Sequence, residues 1–209
     1  MAIVVYLETE NGNFKKSALE VSSYGRKLAD ETKSNLYGIA FNSDEPLKIQ
    51  KYGVEKLINI KTDHVFDAKS YADLLCKTFK DLEGTLFITG SSADSRFIFP
   101  IVSISLDASY ATNVIEFPSS ISPLILKRSA FTNKGFVFTE LKTNYKIIGI
   151  LNNSFGIFES ERKLEVKDYI PESIESNVQV ESIIEDEEKI SIADAEIVVS
   201  GGRGLKGPE

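Results

Sequence analysis

The sequence is poor in the side chains on which much protein chemistry depends. Its 209 residues hold one cysteine, one histidine, one methionine and no tryptophan. A single thiol, Cys76, rules out an internal disulfide and leaves a cysteine-based zinc site without partners. In its setting Leu74-Leu75-Cys76 it reads as a small core residue. The one imidazole, His64, falls in Thr62-Asp63-His64-Val65, a loop after a strand, and reads as a surface or partner-contact residue. No G-x-S-x-G elbow, H-E-x-x-H pair or EF-hand loop occurs, and no pair of carboxylates is spaced as an acid/base dyad. A transition-metal site would have to rely on carboxylates, and no metal is expected.

Charge and hydropathy exclude more. A net charge of −7 argues against a broad nucleic-acid footprint. No apolar run reaches the length of about 18 residues that a membrane span needs. The opening run Ala2–Leu7 is too short for a signal h-region and soon meets Glu8 and Glu10. A cytoplasmic setting is the expectation. Hydrophobic residues make up 42%, enough to build a sizeable core at this length.

What is present is an alternation of elements. Ala2–Leu7 is near-continuously apolar, as in a strand covered on both faces. After a polar loop turning at Gly12, Ala18, Val21, Gly25, Leu28 and Ala29 recur at helical spacing. Strands follow at Leu36–Phe41, Lys56–Ile60 and Thr85–Thr89. Between them lie a short helix, Pro46–Gly53, and a longer one capped by Asp67, along which Tyr71, Leu75 and Phe79 share a face until Gly84. This order predicts a mostly parallel sheet with helices on both faces and right-handed crossovers.

Gly90–Arg96 follows the fourth strand and leads into the apolar stretch Phe97–Leu106. Its hydroxyls and backbone N–H groups would suit a phosphate beyond a strand's carboxyl end. The plainer reading, which we favour, is that Ser91, Ser92 or Asp94 caps a helix. From Ala111 helical periodicity gives way to strand-like runs at Val114–Phe117, Leu124–Ala130, Phe136–Leu141 and Lys146–Leu151. Asn133-Lys134-Gly135 links two of these as an antiparallel hairpin. They predict a β-rich antiparallel extension at an edge or end of the sheet. Residues 152–163 are looser, and an acidic connector lies beyond Pro171. A domain boundary is expected near Ile190, dividing residues 1–190 from 191–209.

The last stretch joins a β-branched run, Ile197–Val199, read as a buried strand, to Ser200-Gly201-Gly202-Arg203-Gly204-Leu205-Lys206-Gly207. Residues 202–207 fit G-x-G-x-x-G formally, but the helix and later acid that would make the pattern diagnostic are missing. A strand, a glycine turn and no following helix read as a piece of a longer protein, ending just inside a second domain. Arg203 is a planar, permanently charged group able to stack on a ring or bind phosphate, and Lys206 adds a second charge. A plain turn with a solvent-facing arginine fits the residues equally well.

The string from Ile197 to Glu209 closely resembles the segment that opens the FAD-binding domain of electron transfer flavoprotein alpha subunits. Arg96, Pro100, Arg128 and Phe131 also fall where that family has arginine, proline, arginine and an aromatic. The chain departs from the family at Ile101, at Thr132-Asn133-Lys134 and at Leu151, ahead of Asn152-Asn153-Ser154-Phe155. The resemblance implies an adenine nucleotide alpha hydrolase-like α/β domain serving as scaffold and subunit contact. It implies a beta subunit as partner and FAD as cofactor, held in part by Arg203, Gly202, Gly204 and Lys206. Flavin dehydrogenases such as acyl-CoA dehydrogenases would donate electrons, and a membrane-linked oxidoreductase would accept them. The protein would then be an electron carrier in fatty acid beta-oxidation or a similar route. Residues 1–209 alone would hold no tightly bound FAD. The alternative function is a nucleotide-binding or nucleotide-hydrolysing domain using Gly90–Arg96.

Overall fold

A computed structural model describes residues 2–174, 176, 178–182, 198–202 and 204. The strand β1 (Ala2–Tyr6) is buried along its whole length. Its alternate side chains feed two different cores. Ile3, Val5 and Leu7 join one with helix α1 (Lys16–Thr32), while Val4 and Tyr6 join the other with α2 (Ala68–Asp81) and α3 (Ala93–Leu106). Helices therefore cover both faces of the sheet, as the unbroken apolar run predicts.

α1 can lie close to the sheet because Gly25 faces it. A Cβ there would stand 2.8 Å from Val5 Cγ1 and 2.9 Å from Leu36 Cδ1. α2 starts at Asp67, whose carboxylate accepts the Ser70 N–H at 3.1 Å. Leu82, rather than Gly84, closes it. Gly84 opens the next strand, where a Cβ would run into the Phe79 ring. Phe79 in turn stacks on Phe87 at 5.0 Å, tying α2 to the sheet.

The expected loop after β1 is a small ribbon, β2 (Thr9–Glu10) with β3 (Asn13–Phe14). Asn11 and Gly12 turn it with φ of 47° and 76°, the positive pair that a tight Asn-Gly hairpin turn requires. Next come β4 (Asn35–Phe41), a 3₁₀ turn (Pro46–Tyr52), β5 (Lys56–Ile60) and β6 (Gly84–Gly90). Beyond α3 lie β7 (Ser109–Val114), β8 (Ser120–Ile121), β9 (Leu124–Ala130), β10 (Gly135–Leu141), β11 (Lys146–Ile150) and β12 (Glu165–Tyr169).

The described strands of the main sheet run β10-β9-β7-β11-β6-β1-β4-β5-β12, with β8 beside β9. From β7 to β12 every pairing is parallel. β9 and β10 form the expected antiparallel hairpin and extend one edge. Three details depart from the sequence reading. Lys146–Ile150 is no part of the extension but sits inside the parallel sheet, between β6 and β7. β7 ends at Val114, where a strand was expected to begin. Glu165–Tyr169, to which the sequence reading assigns no element, adds an edge strand to β5.

By internal contacts the chain divides into Met1–Val178 and Gln179–Glu209. The expected boundary at Ile190 and the acidic run from Glu185 to Lys189 lie outside the described residues. Val198 and Val199, read as buried strand, are in no strand and are exposed. Valines become a strand only where an edge pairs with them, and their own propensity is too weak to supply one.

Candidate functional site

In an open parallel sheet, the crevice forms where crossovers leave neighbouring strands toward opposite faces. Here that place is the carboxyl end of β1, whose neighbours are β4 and β6. α1 leaves β1 on one face, and α3 leaves β6 on the other. A cavity of about 320 Å³ opens there, lined on one side by Glu8, Thr9, Asn11 and Gly12 of the ribbon. Tyr6, Phe41, Phe66 and Tyr71 supply an aromatic wall, while Asn42 and Asp94 complete the rim.

The Gly90–Arg96 segment borders this crevice, and the helix-capping reading holds. Ser92 is the N-cap of α3, its Oγ accepting the Ser95 N–H at 3.0 Å. The two hydroxyls have a further partner that the sequence reading missed. Ser92 Oγ and Ser95 Oγ each donate to Glu8 Oε1 at 2.5 Å. Thr89 Oγ1 lies 2.9 Å from Ser95 Oγ, extending the network to the end of β6. A carboxylate just beyond β1 thus takes the hydroxyl donors at a helix N-terminus that a phosphate would otherwise use. With Asp94 also on the rim, an incoming phosphate would meet two negative groups.

Glu8 is 5% exposed, and its second oxygen, Oε2, has no hydrogen-bond partner among the described residues. The surrounding rings register this negative field. Burial raises the Tyr6 hydroxyl pKa well above its ordinary value, with further increments from Glu8, Tyr71 and Asp94. Tyr71 is raised by burial and then by Asp94. Phe41 and Tyr71 stack at 4.0 Å, and Phe66 meets Tyr71 edge-on at 5.1 Å. One signal in the sequence could have found Glu8: it is the first acid beyond a fully apolar strand, where such crevices form.

A second buried carboxylate, Glu20 on α1, organises the loop after β11. It accepts N–H groups from Asn153, Phe155 and Gly156 at 2.8 to 3.0 Å. This loop contains the Asn152-Asn153-Ser154-Phe155 segment singled out in the sequence, and Phe155 packs edge-on to Tyr24 at 5.0 Å.

The remaining predicted residues lie apart from the crevice or outside the described chain. Arg128 on β9 donates to the Thr112 carbonyl at 2.6 Å and to Thr112 Oγ1 at 2.8 Å. Burial pushes the Tyr110 hydroxyl up to about 12, against the opposing pull of the Arg96 and Arg128 charges. Phe131 is exposed at the hairpin tip. His64 is half-buried in its loop, with its backbone N–H on Thr62 Oγ1. Among the described residues, no cluster of three or more His, Cys, Asp or Glu could hold a metal, and no helix is long and apolar enough to cross a membrane.

Arg203 and Lys206 fall outside the described residues. Gly202 and Gly204 are exposed, and nothing lies within 4 Å of where a Cβ would stand on either. Backbone that is open in this way admits close approach of a ligand. The flanking guanidinium and ammonium have the right charge for a dinucleotide's pyrophosphate.

Comparison with known families matches residues 3–172 to the electron transfer flavoprotein domain. The chain is similar to the electron transfer flavoprotein subunit alpha of Syntrophomonas wolfei subsp. wolfei (strain DSM 2245B / Goettingen). The two are 20% identical over 213 residues, which cover 98% of this chain and 66% of that protein. The chain therefore spans just under two thirds of the length of that curated relative. Among solved structures, a universal stress protein from Archaeoglobus fulgidus aligns with 48% of this chain and 86% of its own. At 14% identity and a TM-score of 0.33, that likeness is too slight to bear on fold or function.

Proposed function

The chain belongs to the electron transfer flavoprotein domain family, matched across residues 3–172, and from that premise we propose that it is the N-terminal scaffold and subunit-contact domain of an alpha-type subunit. The observation that carries this reading is the extent of the match, which takes in the parallel sheet from β1 to β12 together with the hairpin at its edge. The protein would work as an electron carrier with a beta subunit and FAD. It would take electrons from flavin dehydrogenases, such as acyl-CoA dehydrogenases, and pass them to a membrane-linked acceptor from the cytoplasmic side.

A bound flavin would supply the redox chemistry itself, taking up and releasing electrons on its ring. The protein's part is then to bind and orient. Arg203, Gly202, Gly204 and Lys206 would hold the dinucleotide, the glycines by admitting backbone N–H groups and the cations by charge. Such a role needs no nucleophile or acid/base dyad in this domain, in keeping with the single histidine and single cysteine.

The subunit-contact role draws support from α3. Its inner face buries Ile98, Phe99, Val102 and Leu106, yet Phe97 and Ile104 stand 66% and 83% exposed one heptad apart. Large apolar side chains exposed together on a helix's outer face mark an interaction surface. Phe136 and Phe138 on β10 are exposed as well, at the edge of the sheet. The nucleotide-binding alternative at Gly90–Arg96 is the weaker reading, because Glu8 already holds the serine hydroxyls there.

The flavin contact is tested by expressing the natural gene product with the beta subunit of its own genome, with and without Arg203→Ala. The wild-type complex should retain flavin, and the variant should lose about ten- to hundredfold in flavin affinity. Equal flavin retention in both would contradict the role given to Arg203.

A further inference from the structure

The crevice at the carboxyl end of β1 has chemistry unlike that of a flavin or nucleotide site. We propose that it is a binding site for a small primary amine in its ammonium form, separate from any flavin site. The central observation is Glu8. It is 5% exposed, one of its oxygens is held by two serine hydroxyls, and the other lies buried without a donor. A buried acceptor left unpaired is costly, and a charged one more so. Glu8 lines a cavity of about 320 Å³, within the range of small-ligand pockets. The missing partner is a donor, and the negative charge favours a cationic one.

The cavity's other walls narrow the ligand class. Asp94 adds a second carboxylate, so anions are repelled. Phe41, Tyr71 and Phe66 supply ring surface for a short alkyl chain and a negative π-face for its charge. A quaternary ammonium would satisfy the rings and the charge but has no N–H to give Oε2. An N–H-bearing alkylammonium satisfies all three. Small inorganic cations lack the apolar part that the rings would contact.

The test is a titration of the whole chain with n-butylammonium chloride, followed by backbone amide NMR shifts. Tetramethylammonium chloride, potassium chloride and AMP are run in parallel. Saturable shifts centred on residues 8–12 and 92–95 are expected for n-butylammonium, with binding at least about tenfold weaker for tetramethylammonium. Glu8→Gln should weaken n-butylammonium about ten- to hundredfold. Because Glu8 also holds Ser92 and Ser95, Asp94→Asn serves as a second variant on an exposed position. It should keep the wild-type spectrum and weaken binding about two- to fivefold. No saturable shift in the wild type would overturn the proposal. So would equal affinity for potassium or tetramethylammonium, or AMP binding there in preference. Affinity unchanged in Asp94→Asn and in a folded Glu8→Gln would do the same.

Discussion

At the scale of single residues, three buried polar groups differ in how they are accommodated. Glu20 is fully engaged by three backbone N–H groups and acts as a clamp on the loop after β11. Glu8 is half engaged, which is why it carries the inference of a ligand. Cys76 is simply buried, and burial raises its thiol from 9.0 up to about 11. Reagents that need the thiolate should therefore modify it about a hundredfold more slowly than a free cysteine at pH 8. Unfolding should abolish the difference, and a colorimetric thiol assay with and without denaturant checks this. A thiol held neutral in the fold stabilises it fully below pH 9. That contribution is lost as pH rises through about 11.

At the scale of elements, the approach of α1 to the sheet rests on one position. Gly25→Ala would push a methyl to within 3 Å of Val5 and Leu36 and should cost about 1–3 kcal/mol in thermal or denaturant unfolding. Gly135→Ala is the control. Its nearest neighbour would be 3.6 Å away, so its effect should stay within about 0.5 kcal/mol. The outer stripe of α3 makes a different prediction. Ile104→Asp replaces an 83% exposed side chain, so it should leave unfolding nearly unchanged. If that stripe is the subunit contact, the same change should weaken association with the beta subunit about tenfold or more, measured by titration calorimetry.

The elements also show what the sequence made legible. Lys56–Ile60 and Leu124–Ala130 are strands with the expected bounds, because short runs of Leu and Ile set off by turn residues specify themselves locally. Asp67 and Ser92 were readable as caps, because capping depends on residues three positions apart. The place of Lys146–Ile150 in the sheet was not readable, since its partners β6 and β7 are distant in the chain. Glu165–Tyr169 has three charged residues among its five and owes its strand to the open edge of β5. In the crevice, Ser92 and Asp94 stood out by type, whereas Glu8 looked like any loop acid. Its meaning comes from two serines that lie 84 and 87 positions away.

At the scale of the molecule, Met1–Val178 is an α/β unit with both sheet faces covered and apolar side chains left exposed on α3 and β10. Under the proposed scaffold role, those surfaces are where a beta subunit would dock. Docking would protect the open edge of the β9–β10 hairpin, which otherwise invites pairing with other chains. The most direct measurement mixes this chain with the beta subunit from its own genome at about 50 micromolar each, enough to capture micromolar affinities. Light scattering after size exclusion should then report one species with the summed mass of one copy of each. Two species eluting at their separate masses would contradict the proposed role.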